Sequence, residues 1–113
     1  MITPQAIATY GKTVLWAQLL TDQADVTNGE WMAVIGWHPL TIEINGITTA
    51  ILQVRGSNAK AQPANSVDGF QLGADVSVDG LLALDAPIKW MKIKVTAYSS
   101  GTINAYMMAS PQG

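Results

Sequence analysis

Alternation of apolar and polar residues, broken by tight-turn pairs, constrains this chain more than any other feature. Asn45-Gly46, Asp79-Gly80 and Ser100-Gly101 each fall between stretches in which apolar residues recur at every second position. A period of two sends successive side chains to opposite faces of a strand, and Asn-Gly or Asp-Gly supplies the left-handed dihedrals of a two-residue hairpin. The pattern predicts antiparallel β-structure built from hairpins. Ile42 and Ile44 enter the Asn45-Gly46 turn, and Ala50, Leu52 and Val54 share one face of the return. Ala74, Val76 and Val78 are predicted to point inward before Asp79-Gly80 turns into Leu81–Leu84. Ile88–Tyr98 reads as the longest strand. Met91, Ile93, Val95 and Ala97 lie on its core face, with Trp90, Lys92, Lys94, Thr96 and Tyr98 on the other. Beyond Ser99-Ser100-Gly101, Ile103, Ala105 and Met107 face in, while Asn104, Tyr106 and Met108 face out.

The run Thr13–Leu20 is apolar on both faces, as in a strand covered on both sides. Periodicity alone also allows a short helix, but β-branched residues and Trp16 favour a strand. Trp31–Trp37 reads as the next strand, interrupted by Pro39, which cannot donate to a ladder. Gly56–Gly69 is the longest irregular segment, either a functional loop or a crossover between sheets. Residues 1–9 read as an extended N-terminal arm, 10–109 as the folded domain, and 110–113 as a flexible tail. About eight short strands at this spacing predict an all-β fold, a single antiparallel β-sandwich that is Greek-key or jelly-roll-like. The hairpins favour a Greek key or meander over a strict jelly roll.

Composition narrows the function. A length of 113 residues is one domain, and the absence of cysteine removes disulfides and thiolate metal sites together. Charged residues make up 12% of the chain, against about 25% in ordinary soluble domains, while 49% is apolar. Much of the surface must then be neutral, and such surfaces are covered by partners. A net charge of −2 argues against nucleic acid, which needs clustered Lys and Arg. Lys89, Lys92 and Lys94 read as a solvated strand face. Val95–Gly113, the longest uncharged stretch, alternates and contains Pro111, unlike a membrane-spanning helix. The start Met1-Ile2-Thr3-Pro4-Gln5 lacks the basic residues and apolar core of a secretory signal.

Little in the sequence looks like chemistry. His38, the single histidine, has no ligand-spaced neighbours and reads as structural. Asp68, Asp75, Asp79 and Asp85 cluster in sequence, but Asp75 and Asp79 fall on an outward face and in a turn. Oxygen ligands from loops could hold calcium, though no EF-hand spacing is present. There is no nucleophile elbow and no phosphate-cradling glycine loop. The expectation is a non-enzymatic protein with no catalytic residues, no cofactor and no metal.

Four tryptophans stand out in so short a chain. Trp90 shares outward parity with Tyr98, and Tyr106 lies outward on the paired strand. The three could form a protein interface or a glycan platform, unless a bulge near Lys89 turns Trp90 inward. The strand-and-turn pattern then resembles a known group. Ile42-Glu43-Ile44-Asn45-Gly46 runs into Ile51-Leu52-Gln53-Val54-Arg55-Gly56-Ser57-Asn58. Phe70-Gln71-Leu72-Gly73 and Ile88–Val95 lead into Ser100-Gly101-Thr102-Ile103. These segments, within Thr41–Met108, are similar to those of small β-sandwich structural proteins of tailed bacteriophages. By size, the resemblance implies a capsid decoration (cement) protein. Such a protein binds the outer surface of the phage head and stabilises it as a trimer or dimer, contacting the major capsid protein and sibling copies on the virion. A glycan-binding or fibre/tail module is the alternative. The expected contacts are Met1, Ile2, Pro4 and Ile7 of the arm with Trp90, Tyr98 and Tyr106.

Overall fold

Two long strands, rather than a series of hairpins, organise this chain. The computed structural model describes residues 5–9, 12–85 and 87–111, and every regular element among them is a strand. These are β1 (Gln5–Thr9), β2 (Lys12–Gln23), β3 (Met32–Ala33), β4 (Trp37–Ser57), β5 (Phe70–Gln71), β6 (Gly80–Leu84) and β7 (Trp90–Pro111). They form one antiparallel sheet in the order β1-β2-β7-β4-β5, with β3 also pairing β7 and β6 also pairing β4.

β4 and β7 pair along their whole length, from Trp37↔Pro111 to Ser57↔Trp90. Asn45-Gly46 and Ser100-Gly101 therefore lie inside continuous strands and do not make the predicted hairpins. Both strands bend there, and their register slips between Asn45 and Ala50. Gly46 has φ +85° and Gly101 φ +122°. A Cβ on Gly46 would sit 1.8 Å from the Thr102 carbonyl oxygen, and one on Gly101 would sit 2.5 Å from the Gly46 carbonyl oxygen. Glycine at both places is what lets the two backbones cross so closely.

The flanking strands follow the same bend. On one side, β2 pairs with the C-terminal part of β7, then Thr27 bridges Val95, and β3 pairs with the N-terminal part. On the other side, β5 pairs with Arg55 and Gly56, Val76 bridges Leu52, and β6 pairs with Leu40–Ile44. Asp79-Gly80 is thus not a hairpin either. It carries the chain across the bend, and the Asp79 carboxylate accepts the Ile47 amide at 2.8 Å. The result is two half-sheets. The first contains β1, β2, the C-terminal part of β7, the N-terminal part of β4, and β6. The second contains β3, the N-terminal part of β7, the C-terminal part of β4, and β5. Each half repeats the same neighbour order, which is the pairing scheme of a jelly roll rather than of the Greek key or meander that hairpins favoured.

One core cluster draws on both half-sheets. Ile42, Ile44, Leu52, Val54, Met91, Ile93, Val95, Ile103, Ala105 and Met107 are buried as their parity predicts. Val76 is also buried, but Ala74, Val78 and Ala97 are exposed. The 72–79 segment touches β4 through few backbone bonds, so its alternation is not enforced by a ladder. Pro39 sits inside β4, where the β7 register skips from Trp37 to Leu40. Its missing N–H falls at an irregularity, where a proline is tolerated. Of the predicted arm, Gln5–Thr9 pairs with β2 as a strand of the same sheet, while Met1, Ile2 and Pro4 lie outside the described residues. Of the predicted tail, Ser110 and Pro111 belong to β7, while residues 112–113 lie outside the described residues.

The bend gives a direct prediction. Gly46→Ala should lower unfolding free energy by more than about 3 kcal/mol, at the severe end for point substitutions. Gly80→Ala, whose Cβ would meet nothing within 4 Å, should change it by less than about 0.5 kcal/mol. Urea denaturation of the two variants checks both.

Candidate functional site

The two half-sheets have outer faces of very different character. The outer face of the second is covered by the loop of residues 58–69, which folds back over it. Lys92 points outward by parity, yet its side chain is fully buried. Its Nζ donates to the carbonyls of Asn65 (2.9 Å) and Val67 (2.7 Å) and lies 4.8 Å from the centre of the Trp31 ring. Trp31, itself 1% exposed, donates its indole N–H to the Ala64 carbonyl at 3.1 Å. Arg55 donates to the carbonyls of Asp68 and Gly69, and Lys94 meets the Asp68 carboxylate at 2.7 Å. Lys89 donates to the Lys60 carbonyl, and Trp90 donates its indole N–H to Ala59 at 2.9 Å.

The basic residues therefore do not form the solvated strand face that parity suggests. They are anchors for loop carbonyls, which neutral side chains could not hold as strongly. Burial pushes the Lys92 ammonium below its ordinary value, with Asp68 opposing that shift. The hydrogen bond from Lys94 lowers the Asp68 carboxyl below its ordinary 3.8, helped by the charges of Lys92 and Arg55.

The outer face of the first half-sheet carries no such cover among the described residues. Cross-strand register gives two adjacent rows. One reads Trp16, Met108, Thr41, Ala83, and the next reads Gln18, Tyr106, Glu43, Leu81. Trp16 and Tyr106 stack with ring centroids 6.2 Å apart. Met108 is 47% exposed and Leu81 67% exposed. Beside them, Gln18 donates to Asn104, which also accepts the Asp22 amide at 3.0 Å. Glu43 is the single charged side chain in the two rows.

Tyr106 is thus the one predicted aromatic contact that lies on this face. Trp90 is half-buried beneath the loop, eight residues from Tyr98 and on the second half-sheet. Tyr98 packs against the core and gives its hydroxyl to the Gly101 carbonyl at the bend. An extended strand rises about 3.3 Å per residue, so the three rings are spread along β7 and form no common patch. Ile7 is placed in β1 opposite Val14. The signal for Trp16 was present in β2, whose residues are apolar on both faces. That composition calls for cover on both sides, and among the described residues the fold supplies it on one.

The acidic residues do not converge. Asp75 accepts from Gln53 and Gln71, Asp79 caps Ile47, Asp68 binds Lys94, and Asp85 meets His38 Nδ1 at 3.2 Å. Among the described residues, no group of three or more His, Asp or Glu is placed to hold a metal. A cleft beside His38 is lined by Ile35, Gly36, Asn58, Pro87, Ile88 and Lys89, with no hydroxyl or thiol among them.

No known family model and no curated protein matches the chain. Among solved structures, it is similar to the protein NMB1881 of Neisseria meningitidis. That match has 11% identity and a TM-score of 0.38, covering 96% of this chain and 83% of the other. It is also similar to CENP-C of Drosophila melanogaster, solved bound to CAL1. That match has 8% identity and a TM-score of 0.38, covering 93% and 74%. Similarity at this level does not bear on function.

Two predictions follow from the anchored loop. Lys92→Met removes the shared donor, so proteolytic cleavage within residues 58–69 should become roughly tenfold faster while the sheet stays folded, as for loss of about 1.4 kcal/mol of anchoring. Limited proteolysis followed by mass spectrometry reads it, and unchanged cleavage would refute the anchor. The Asp68 carboxyl releases its proton more readily in the folded protein than in the unfolded chain. Its stabilising effect is therefore complete above about pH 3.8 and fades as pH falls through the lower folded-state value. The excess stability of the wild type over Asp68→Asn should be present at pH 6 and shrink toward pH 2 in urea titrations.

Proposed function

We propose that this chain is a non-enzymatic structural protein that works by protein–protein contact through the outer face of its first half-sheet. The observation that carries this reading is the uncovered pair of rows around Trp16, Tyr106, Met108 and Leu81. Aromatic and Met side chains are the types enriched at protein interfaces, and charged groups are depleted at their centres. The loop of residues 58–69 covers the equivalent face of the other half-sheet, whereas among the described residues nothing covers this one. Contact with an assembled particle stabilises that particle by mass action, because the protein binds the assembled state alone.

The setting comes from the resemblance to tailed-phage structural proteins. On that reading the protein decorates the outside of a phage head, is made in the host cytoplasm, and contacts the major capsid protein and sibling copies. The jelly-roll pairing agrees with this setting, although the same architecture serves lectins as well as capsids. A second reading, a glycan-binding or fibre/tail module, has the stacked Trp16–Tyr106 pair beside Gln18 and Asn104 in its favour.

Met108→Lys places a charge at the middle of the face without touching the core. In pelleting assays with heads lacking this protein, the variant should bind at least about tenfold more weakly than wild type, as for loss of a central contact. Its melting temperature should be unchanged. Equal binding by the variant, or no binding by the wild type, would overturn the reading. Binding to a glycan array, competed by free sugar, would favour the second.

A further inference from the structure

We propose that the outer edge of β6 takes up an extended segment of another protein by strand addition, and that this segment carries a basic side chain at each end. The inference rests on the reading of the chain as a protein-contact module and names the chemistry of its partner.

The projected area of the bare face sets the need. Four strands about 4.8 Å apart and two rows about 6.7 Å apart give on the order of 260 Å². A stable interface buries about 800 Å² per partner. A partner seated on this face must therefore extend past it, and β6 is the strand at its rim.

β6 pairs with β4 on one side through five consecutive residues, Leu40↔Leu84 to Ile44↔Gly80, without a register slip. No described residue pairs with its other side. Natural edge strands are blunted by lysine, proline, bulges or a covering segment. Gly80-Leu81-Leu82-Ala83-Leu84 has none of these. β5, the edge of the second half-sheet, is only two residues long and so is protected by brevity. β6 is thus an unprotected, regular and uncharged edge, the form that a peptide strand extends.

The charges around it select the occupant. Asp79 and Asp85 flank β6 directly and both are exposed, so an acid stands at each end of the strand, one accepting the Ile47 amide and the other meeting His38 Nδ1. Glu43 lies opposite Leu81 in the neighbouring strand. A second copy is a poor fit. Full antiparallel overlap places the two-fold axis at Leu82, where Asp79 of each copy faces Asp85 of the other, and like charges directly opposite repel. A shift of one residue in the pairing would turn the faces over. An axis at Leu81 or Ala83 keeps the faces but pairs only three β6 residues. A strand with Lys or Arg six residues apart and apolar residues between them at alternate positions meets the edge without conflict.

The probe is the peptide Lys-Thr-Val-Thr-Val-Thr-Lys, added to the ¹⁵N-labelled full chain and followed by NMR. The expected result is saturable shifts centred on the amides of residues 79–85 and on Glu43. The same peptide with Glu at both ends should bind about tenfold more weakly. Asp79→Lys/Asp85→Lys should reverse that preference. Because Asp79 also holds the Ile47 amide, Leu81→Lys serves as an independent variant. It keeps both acids and should abolish binding by either peptide. No saturable binding, equal binding of the two peptides, or shifts centred elsewhere would overturn the proposal. So would concentration-dependent shifts at residues 80–84 without peptide, which would mean that a second copy takes the edge. None of these outcomes alters the Met108→Lys pelleting result, so failure here is distinguishable from failure of the proposed function.

Discussion

The whole architecture turns on one close crossing, where Gly46 in β4 passes Gly101 in β7. Two strands of this length would otherwise form a ribbon with no enclosed interior. Bending them together at one point lets each flanking strand follow, and a single sheet then closes over one core. The bend needs no side chain and tolerates none, because each glycine sits where a Cβ would meet the other strand's backbone. Asp79 ties the outer track to the same place through the Ile47 amide.

Closing a sheet in this way leaves two outer faces, and the chain treats them differently. The 58–69 loop is long enough to fold back, and Lys92, Arg55, Lys94 and Trp90 give it donors to close on. A buried ammonium is expensive unless it is hydrogen-bonded. Lys92 has two loop carbonyls and the face of Trp31, so its burial and the order of the loop are one event. Among the described residues no loop covers the other face. Its rows, aromatic and with Glu43 as their one charge, lie beside the edge of β6, which no described residue pairs.

Much of this was legible in the sequence, and the misreadings have physical causes. Parity placed Ile42, Leu52, Ile93, Ile103 and Met107 in the core correctly, because long ladders enforce a period of two. The same glycine dihedral serves a hairpin and a bend, so Asn45-Gly46 and Ser100-Gly101 could not be told apart locally. What distinguishes them is a partner strand some fifty residues away in the chain. Lys92 was read as solvated because parity speaks only of direction, and the loop that covers it is remote in sequence. Ala74 and Val78 alternate like strand residues, but one bridge at Val76 is too little to orient them. β2 carried the most useful signal, since residues apolar on both faces announce a need for cover. The Trp90–Tyr98–Tyr106 grouping failed as a patch because Ser100-Gly101 does not fold Tyr106 back beside Tyr98, and all three lie along one continuous β7.

The central claim is that one face is closed by the chain itself and the other is left for a partner. Hydrogen–deuterium exchange on the free protein and on the same protein in its native assembly tests it most directly. The account predicts new protection at residues 16–18, 81–83 and 106–108, with residues 58–69 unchanged. New protection centred on residues 58–69, with none around Trp16 and Tyr106, would contradict it.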